Sequence, residues 1–336
     1  MLRVSATTGG RRAGVAGLQS CGSVWACPVC ARRIAARRSA DLQVVLDAVA
    51  EQGGGAALLT LTMRHHRGHD LKVLWDALSA AWGAVTSGRG WTADRERFGV
   101  LGWVRTVEAT HGPNGWHLHV HALIMFDTPV SVELAGELAG RMFGRWARAL
   151  GRRDLDAVAD RGGLDVQVVR MAGESVRATA DYLSKITLEV TSPSTKVSRD
   201  GNRSPFAILR DALADGLADD VELWWSWEQA SHGRRQLTWS RDLRAWAGLH
   251  REATDEEIVS EDLHGDDVLA LEPQSWPLVR AEVADLLDAL ETGGVPAAAR
   301  WLDSRGARWH RPGGVPPTPP PPRQRAVLRF GLRTGL

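Results

Sequence analysis

The chain has 336 residues, enough for about two domains, and its composition of 44% hydrophobic and 24% charged residues is typical of a soluble globular protein. It contains no apolar run of the roughly 18 residues that a membrane span needs, and its N-terminus lacks the apolar core of a signal peptide, so we expect a cytoplasmic protein with no membrane partner. The net charge is only +1. Residues 1–38 nevertheless contain arginines and no acidic residue, whereas residues 252–291 are rich in aspartate and glutamate. The first region is therefore locally positive and the second locally negative.

The elements of the central segment are predicted from the spacing of its apolar residues. A basic helix at 31–50 precedes them and ends at three glycines. The predicted order is a strand at 56–63, a helix at 71–85 capped by Asp70, strands at 100–110 and 117–125, a helix at 131–150, a strand at 164–171 and a helix at 174–188. The first six follow the β-α-β-β-α-β order of ferredoxin-like folds, which predicts an α+β fold with an antiparallel sheet and helices packed on one face.

The whole chain is predicted to divide into four segments. They are a cysteine module with the basic helix at 1–48, the α+β sheet domain at 49–190, a tryptophan-rich helical extension at 191–250 and an acidic C-terminal region at 251–336. The last segment is predicted to contain a short amphipathic helix at 277–291 and a proline-rich, partly disordered stretch at 312–325.

Three alternating histidines carry the sharpest chemical pattern in the sequence. His117, His119 and His121 fall on one predicted strand, so their side chains point to the same face of the sheet. Neighbouring imidazoles on one strand can chelate a divalent ion with little rearrangement. The alternative is a histidine-rich surface, but three alternating histidines between apolar residues favour the metal site.

Glu108 on the preceding strand is the predicted third type of ligand. If the hairpin closes through the four residues GPNG, His111 pairs with Trp116 and Glu108 pairs with His119 on the metal face. A loop one residue longer or shorter would turn Glu108 away and leave it a surface residue. Two histidines with a carboxylate suit a catalytic Mn²⁺ or Mg²⁺ ion.

The chain has fifteen tryptophans but a single tyrosine, Tyr182. On its predicted helix, Val176, Ala180 and Leu183 form the packed stripe, whereas Tyr182 and Lys185 lie together on its flank. Tyrosine can act as a covalent nucleophile, and a nearby lysine can neutralise a phosphate. The alternative is a half-buried tyrosine beside a solvated lysine.

Cys21, Cys27 and Cys30 are the only cysteines and lie within ten residues. This spacing favours a structural, tetrahedral Zn²⁺ site over a disulfide framework. The fourth ligand must then be a histidine, a carboxylate or water. The alternative is a group of three reduced structural thiols.

Together these motifs resemble the HUH-type rolling-circle replication initiators of actinobacterial plasmids and integrative elements. The resemblance covers roughly residues 20–246. Its motifs are CGSVWACPVCARR, LLTLT at 58–62, GWHLHVHAL at 115–123, YLSK at 182–185 and WWSWEQASHGRRQLTWSRDLR at 224–244.

The resemblance implies a HUH endonuclease domain and a mechanism. In that family the last two histidines of the run bind the metal, which implies His119 and His121 and sets His117 apart. The family tyrosine, matched by Tyr182, attacks a DNA phosphate and leaves a 5′-phosphotyrosine and a free 3′-hydroxyl. The implied partners are single-stranded or hairpin origin DNA, a host helicase and a DNA polymerase. Ala178 stands where some relatives carry a glutamate that activates water, so the resemblance does not imply how the cycle ends.

Two other functions remain open from the sequence. A conjugative relaxase or single-tyrosine transposase would use the same chemistry, and gene neighbourhood would separate it from an initiator. A non-enzymatic, zinc-dependent DNA-binding regulator would explain the cysteines but not the histidines, and the absence of DNA nicking would identify it.

Overall fold

The computed structural model describes residues 1–7, 10–17, 21–169, 171, 202–260 and 266–312. The chain divides into two compact units, one formed by residues 1–19 together with 262–336 and the other by residues 20–261. This division differs from the four predicted segments, whose boundaries stay a prediction. None of the described helices is long and apolar enough to cross a membrane.

The strands and helices are labelled in chain order. The strands are β1 (Leu2–Thr7), β2 (Gly10–Val15), β3 (Gly55–Thr62), β4 (Val100–Gly112), β5 (Gly115–Phe126), β6 (Leu164–Val169), β7 (Leu237–Trp239), β8 (Asp266–Leu271) and β9 (Trp309–His310). The helices are α1 (Pro28–Glu51), α2 (Leu71–Val85), α3 (Gly88–Phe98), α4 (Val132–Gly151), α5 (Pro205–Asp215), α6 (Ala218–Ser231), α7 (Leu243–Trp246), α8 (Asp255–Ser260), α9 (Trp276–Val279) and α10 (Val283–Asp303).

The larger unit is built on a five-stranded sheet with the order β6-β3-β5-β4-β7, in which every neighbouring pair is antiparallel. The strand–helix order from β3 to β6 is the predicted one, with α3 inserted between α2 and β4. This confirms a mixed α+β fold with an antiparallel sheet. Local capping agrees as well, because the Asp70 carboxylate accepts a hydrogen bond from the Val73 amide at 3.1 Å.

Helices cover both faces of this sheet, which corrects the prediction of helices on one face. On one face, Leu118 and Val120 of β5 join a buried core with residues of α2 and α4. On the other face, Leu123 of β5 packs with Leu42 and Leu46 of α1. The basic helix therefore carries a second apolar stripe that packs on the sheet.

The tryptophan-rich region 191–250 is predicted to be a helical extension, but its residues Leu237–Trp239 form a strand. Helices α5 and α6 are followed by β7, in which Thr238 pairs with Arg105 at the edge of the sheet. Pairing with β7 satisfies the backbone N–H and C=O groups at the edge of β4. This gain in backbone hydrogen bonds outweighs the helical spacing of the tryptophans. Trp227 is fully buried and stacks against Trp116 with ring centroids 5.4 Å apart.

The smaller unit has a four-stranded sheet with the order β2-β1-β8-β9. Leu2 of β1 and Leu269 of β8 are fully buried with Leu286, Leu290 and Leu302 of α10. The amphipathic helix predicted at 277–291 corresponds to α9 and the first half of α10. The sheet itself was not predicted from the sequence. The helix predicted at 174–188 and residues 313–325 of the proline-rich stretch lie outside the described residues.

Candidate active site and cysteine cluster

The hairpin of β4 and β5 has the register that the GPNG turn predicts. Glu108 pairs with His119, and His111 pairs with Trp116. Because directly paired residues of an antiparallel ladder share a face, Glu108 lies on the face that carries the alternating histidines. The turn is tight: Gly115 has a φ of +85°, and a Cβ atom there would lie 2.9 Å from the Cα atom of Arg67.

On the neighbouring strand β3, opposite β4, two threonines contact the imidazoles of His119 and His121. Thr60 pairs with His121 and Thr62 pairs with His119. The hydroxyl oxygen Oγ1 of Thr60 lies 3.0 Å from His121 Nδ1, and that of Thr62 lies 2.9 Å from His119 Nδ1. If the Thr62 hydroxyl accepts the Nδ1 proton, the His119 ring presents an unprotonated Nε2, the atom and tautomer that bind a metal. The Nε2 atom of His121 faces Glu108 instead.

Glu108 contacts the imidazole of His121 directly. Their atoms Oε2 and Nε2 are 2.7 Å apart, and the side chains are 23% and 8% exposed. Burial alone would raise the pKa of the Glu108 carboxyl, but the hydrogen bond with His121 and the charges of the neighbouring imidazoles bring that pKa below its usual value. Glu108 therefore keeps its negative charge on a largely buried face.

The outer histidine, His117, belongs to a stack of rings. Its ring centroid lies 3.9 Å from that of His119 and 4.5 Å from that of His65, which follows β3. Burial is the main cause that lowers the pKa of His117 to about 3 and the pKa of His119 to about 4. A cavity of about 190 Å³ adjoins the stack and is lined in part by Arg64 and Arg161.

The donor set of this face fits a divalent ion in its chemistry. His119, His121 and Glu108 offer two imidazoles and a carboxylate, as the sequence predicts, and the ring of His117 lies against those of both His119 and His65. The ligand atoms of His119, His121 and Glu108 do not, however, all lie within 4.8 Å of one another. Among the described residues, the ligand atoms of the cysteine cluster do. Tyr182 and Lys185 lie outside the described residues.

Thr60 and Thr62 are functional candidates that the sequence analysis did not single out. The signal for the threonines was present, because they alternate in LLTLT in the same way that the histidines alternate in the strand paired with it. Only the strand pairing shows that the two alternations face each other.

The cysteine cluster brings together the three predicted residues. Their sulfur atoms all lie within 4.8 Å of one another, and Cys21 Sγ is 3.8 Å from Cys30 Sγ. Tetrahedral zinc with Zn–S bonds of about 2.3 Å separates its sulfur atoms by about 3.8 Å. Burial and hydrogen bonding with Cys27 raise the pKa of Cys30 to about 11. Burial also acts to raise the pKa of Cys27, but hydrogen bonds from Cys30 bring it below the usual value.

The chain is similar to replication proteins. A family model described as replication protein matches residues 15–276. The protein named "Protein rep" of Streptomyces lividans is 27% identical over 342 aligned positions, which cover 81% of this chain and 75% of that relative. A "Neomycin resistance protein" of Streptomyces cyanogenus is 33% identical over 134 positions, which cover 32% of this chain and 31% of that protein. No solved structure matches the chain.

Proposed function

Because the chain belongs to the replication-protein family and is a replication initiator of the actinobacterial kind, we propose that it acts as a HUH endonuclease. It would nick one strand of origin DNA with a tyrosine nucleophile and so begin rolling-circle replication in the cytoplasm. The observation that carries this proposal is the shared face of His119, His121 and Glu108, with the Nδ1 atoms of both imidazoles held by threonine hydroxyls.

We assign the catalytic ion, Mn²⁺ or Mg²⁺, to His119, His121 and Glu108, with His117 as the adjacent imidazole. When bound, it would act as a Lewis acid on the nonbridging oxygens of the scissile phosphate. Thr60 and Thr62 fix the orientation of the two imidazoles. Because the rings are already ordered, the metal would bind without a further loss of side-chain entropy. Glu108 contributes the negative charge that offsets a divalent cation.

Tyr182 is the proposed nucleophile. Its phenol oxygen forms a bond to phosphorus while the bond from phosphorus to the 3′ oxygen breaks. The phenol loses its proton and the departing oxygen gains one, which leaves a 5′-phosphotyrosine and a 3′-hydroxyl that a host polymerase extends behind a helicase. Lys185, one helical turn after Tyr182 in the predicted helix, would neutralise the phosphate. The step exchanges one phosphoester for another, so it needs no nucleotide hydrolysis.

The test is formation of a covalent adduct. Single-stranded oligonucleotides that tile the DNA beside the gene are incubated with the full chain and Mn²⁺, and the products are separated on a denaturing gel. We expect a shifted protein–DNA band that is lost in Tyr182→Phe and without added divalent ion, and that is strongly reduced in Glu108→Gln. His250→Gln, which changes an exposed histidine, serves as the matched control and should retain the band.

An adduct that survives in Tyr182→Phe would reject this nucleophile. If no oligonucleotide gives an adduct, and the protein still binds duplex DNA only when zinc is present, the chain is a DNA-binding regulator and the nuclease proposal fails.

A further inference from the structure

The cysteine cluster needs a fourth donor if it is to hold zinc in the tetrahedral arrangement of structural sites. The three thiols come from the loop before α1 and from its first turn. A cavity of about 550 Å³ opens beside Cys21. Candidate donors on its wall are His232, Glu252, Asp255 and Glu256.

The Glu256 side chain approaches Gly22, the residue that follows Cys21. A Cβ atom placed on Gly22 would lie 3.2 Å from Glu256 Cγ and 3.7 Å from its Oε1. The amide of Gly22 in turn donates a hydrogen bond to the sulfur of Cys30. Gly22 therefore adjoins both the Glu256 side chain and a thiol of the cluster, and its φ of +68° is a left-handed conformation that favours glycine.

The neighbouring carboxylates already have partners. Glu252 and Asp255 both bind Arg38, and Glu257 binds Arg251. The side chain of Glu256 forms no hydrogen bond or ion pair with any part of the chain that the structure describes. Its helix is nevertheless anchored, because Ile258 and Val259 are both 4% exposed in the core. An exposed carboxylate on a fixed backbone can thus turn towards the thiols without breaking another contact.

We propose that Glu256 is the fourth ligand of a zinc ion bound by Cys21, Cys27 and Cys30. Binding releases the protons of the thiols and places one carboxylate oxygen opposite three sulfurs. The ion would then join the cysteine loop, the start of α1 and helix α8, which are separated by more than two hundred residues of sequence. This inference rests on the zinc site of the proposed function and is independent of the nicking chemistry.

The experiment measures metal binding by the purified full chain. Zinc affinity is determined by competition with a chromophoric chelator, and Co²⁺ replaces zinc to report the ligand set through its absorption bands. We expect Glu256→Ala to weaken zinc binding by about 10- to 100-fold or more. Glu256→Cys should bind Co²⁺ with the bands of a four-thiolate site in place of those of three thiolates and one oxygen. Glu252→Gln, on the same cavity wall, should match the wild type.

Each other result overturns the assignment. Unchanged zinc affinity and Co²⁺ bands in Glu256→Ala would mean that another group or water is the fourth ligand, and loss of zinc in His232→Gln instead would assign that histidine. If Glu256→Ala is poorly folded, a Glu256→Cys protein that folds but keeps the three-thiolate spectrum rejects the proposal. A wild-type chain that binds no zinc rejects the zinc site as a whole, and the adduct assay remains informative about Tyr182.

Discussion

At the scale of single residues, the histidine strand keeps the imidazoles of His117 and His119 neutral by enclosing them. His119 is held between Thr62, Glu108 and the rings of its neighbours, and burial is the main reason that the pKa values of His117 and His119 are low. Metal binding requires the neutral imidazole. His119 therefore stays in its metal-binding form below neutral pH.

The low pKa values predict how stability depends on pH. In the unfolded chain these imidazoles take up protons near pH 6.5, whereas in the fold they do so only near pH 4 and pH 3. The unfolded state therefore binds more protons between pH 6.5 and 4, and the free energy of unfolding falls as pH falls through that window, by at most about 1.4 kcal/mol per pH unit for each imidazole. Urea unfolding at pH 7 and pH 5, without added divalent ion, measures this.

The variant His117→Gln removes one of the two groups and should show a shallower loss of stability between the two pH values. His250→Gln should keep the wild-type dependence. An equal pH dependence in His117→Gln and the wild type would contradict the assignment.

The threonine contacts predict a second effect at this scale. Thr62→Val keeps the shape of the side chain but removes the hydroxyl at His119 Nδ1. We expect Mn²⁺ affinity, measured by calorimetry, to fall by about 10- to 100-fold. Thr110→Val, on the same face opposite His117, is the control and should bind Mn²⁺ as the wild type does. Equal affinities in all three proteins would show that the hydroxyl does not orient the ligand.

At the scale of elements, the β4–β5 hairpin and the loop after β3 are fitted to each other at Gly115. The loop passes so close to the turn that it leaves no room for a side chain there, and the same loop carries His65 to His117. The shape of the turn thus sets the position of one end of the histidine stack.

This close approach predicts different costs for two glycines that both have positive φ. Gly216→Ala, where nothing lies within 4 Å of the new Cβ atom, should cost about 1–2 kcal/mol for the left-handed backbone alone. Gly115→Ala should cost a further 1–3 kcal/mol or so, because the Arg67 backbone must move. Denaturant unfolding measures both. Equal losses in the two variants would mean that the loop yields without strain.

The elements differ in how strongly their own residues encode them. The hairpin register was predictable because a short turn and a strict period of two leave little freedom. Strand β7 was not, because three residues join an existing edge through backbone pairing that their side chains do not encode. Helix α3 was not predictable either, because its sequence is rich in charged residues and has no clear apolar stripe. One of those charged residues, Asp94, is fully buried and pairs with Arg141 and Arg145, each at 2.6 Å.

At the scale of the whole molecule, the smaller unit contains residues from both ends of the described chain. Strand β1 lies between β2, from its own hairpin, and β8, which follows some 250 residues later. Neither terminal region holds this sheet by itself. The sequence did not predict the unit because its strands are short and their pairing joins distant residues.

This topology predicts that removing both ends is better tolerated than removing one. A chain of residues 20–261 keeps the larger unit and its own core, and should unfold cooperatively with Mn²⁺ affinity close to that of the full chain. A chain of residues 1–261 keeps β1 and β2 but loses β8, so Leu2 has no core to enter, and it should aggregate more readily. Light scattering and thermal unfolding compare the two, and greater solubility of the longer fragment would contradict this.

The pairing of β1 with β8 also delays the completion of this sheet during protein synthesis. Ribosomes add about 5–20 residues per second, so β8 leaves the ribosome roughly 12 to 50 seconds after β1 and β2. A two-stranded hairpin alone is marginally stable in water, and β1 has an edge that only β8 fills. The N-terminal strands must therefore remain unpaired on that edge while the entire larger unit is made, so slower translation lengthens their exposure to aggregation.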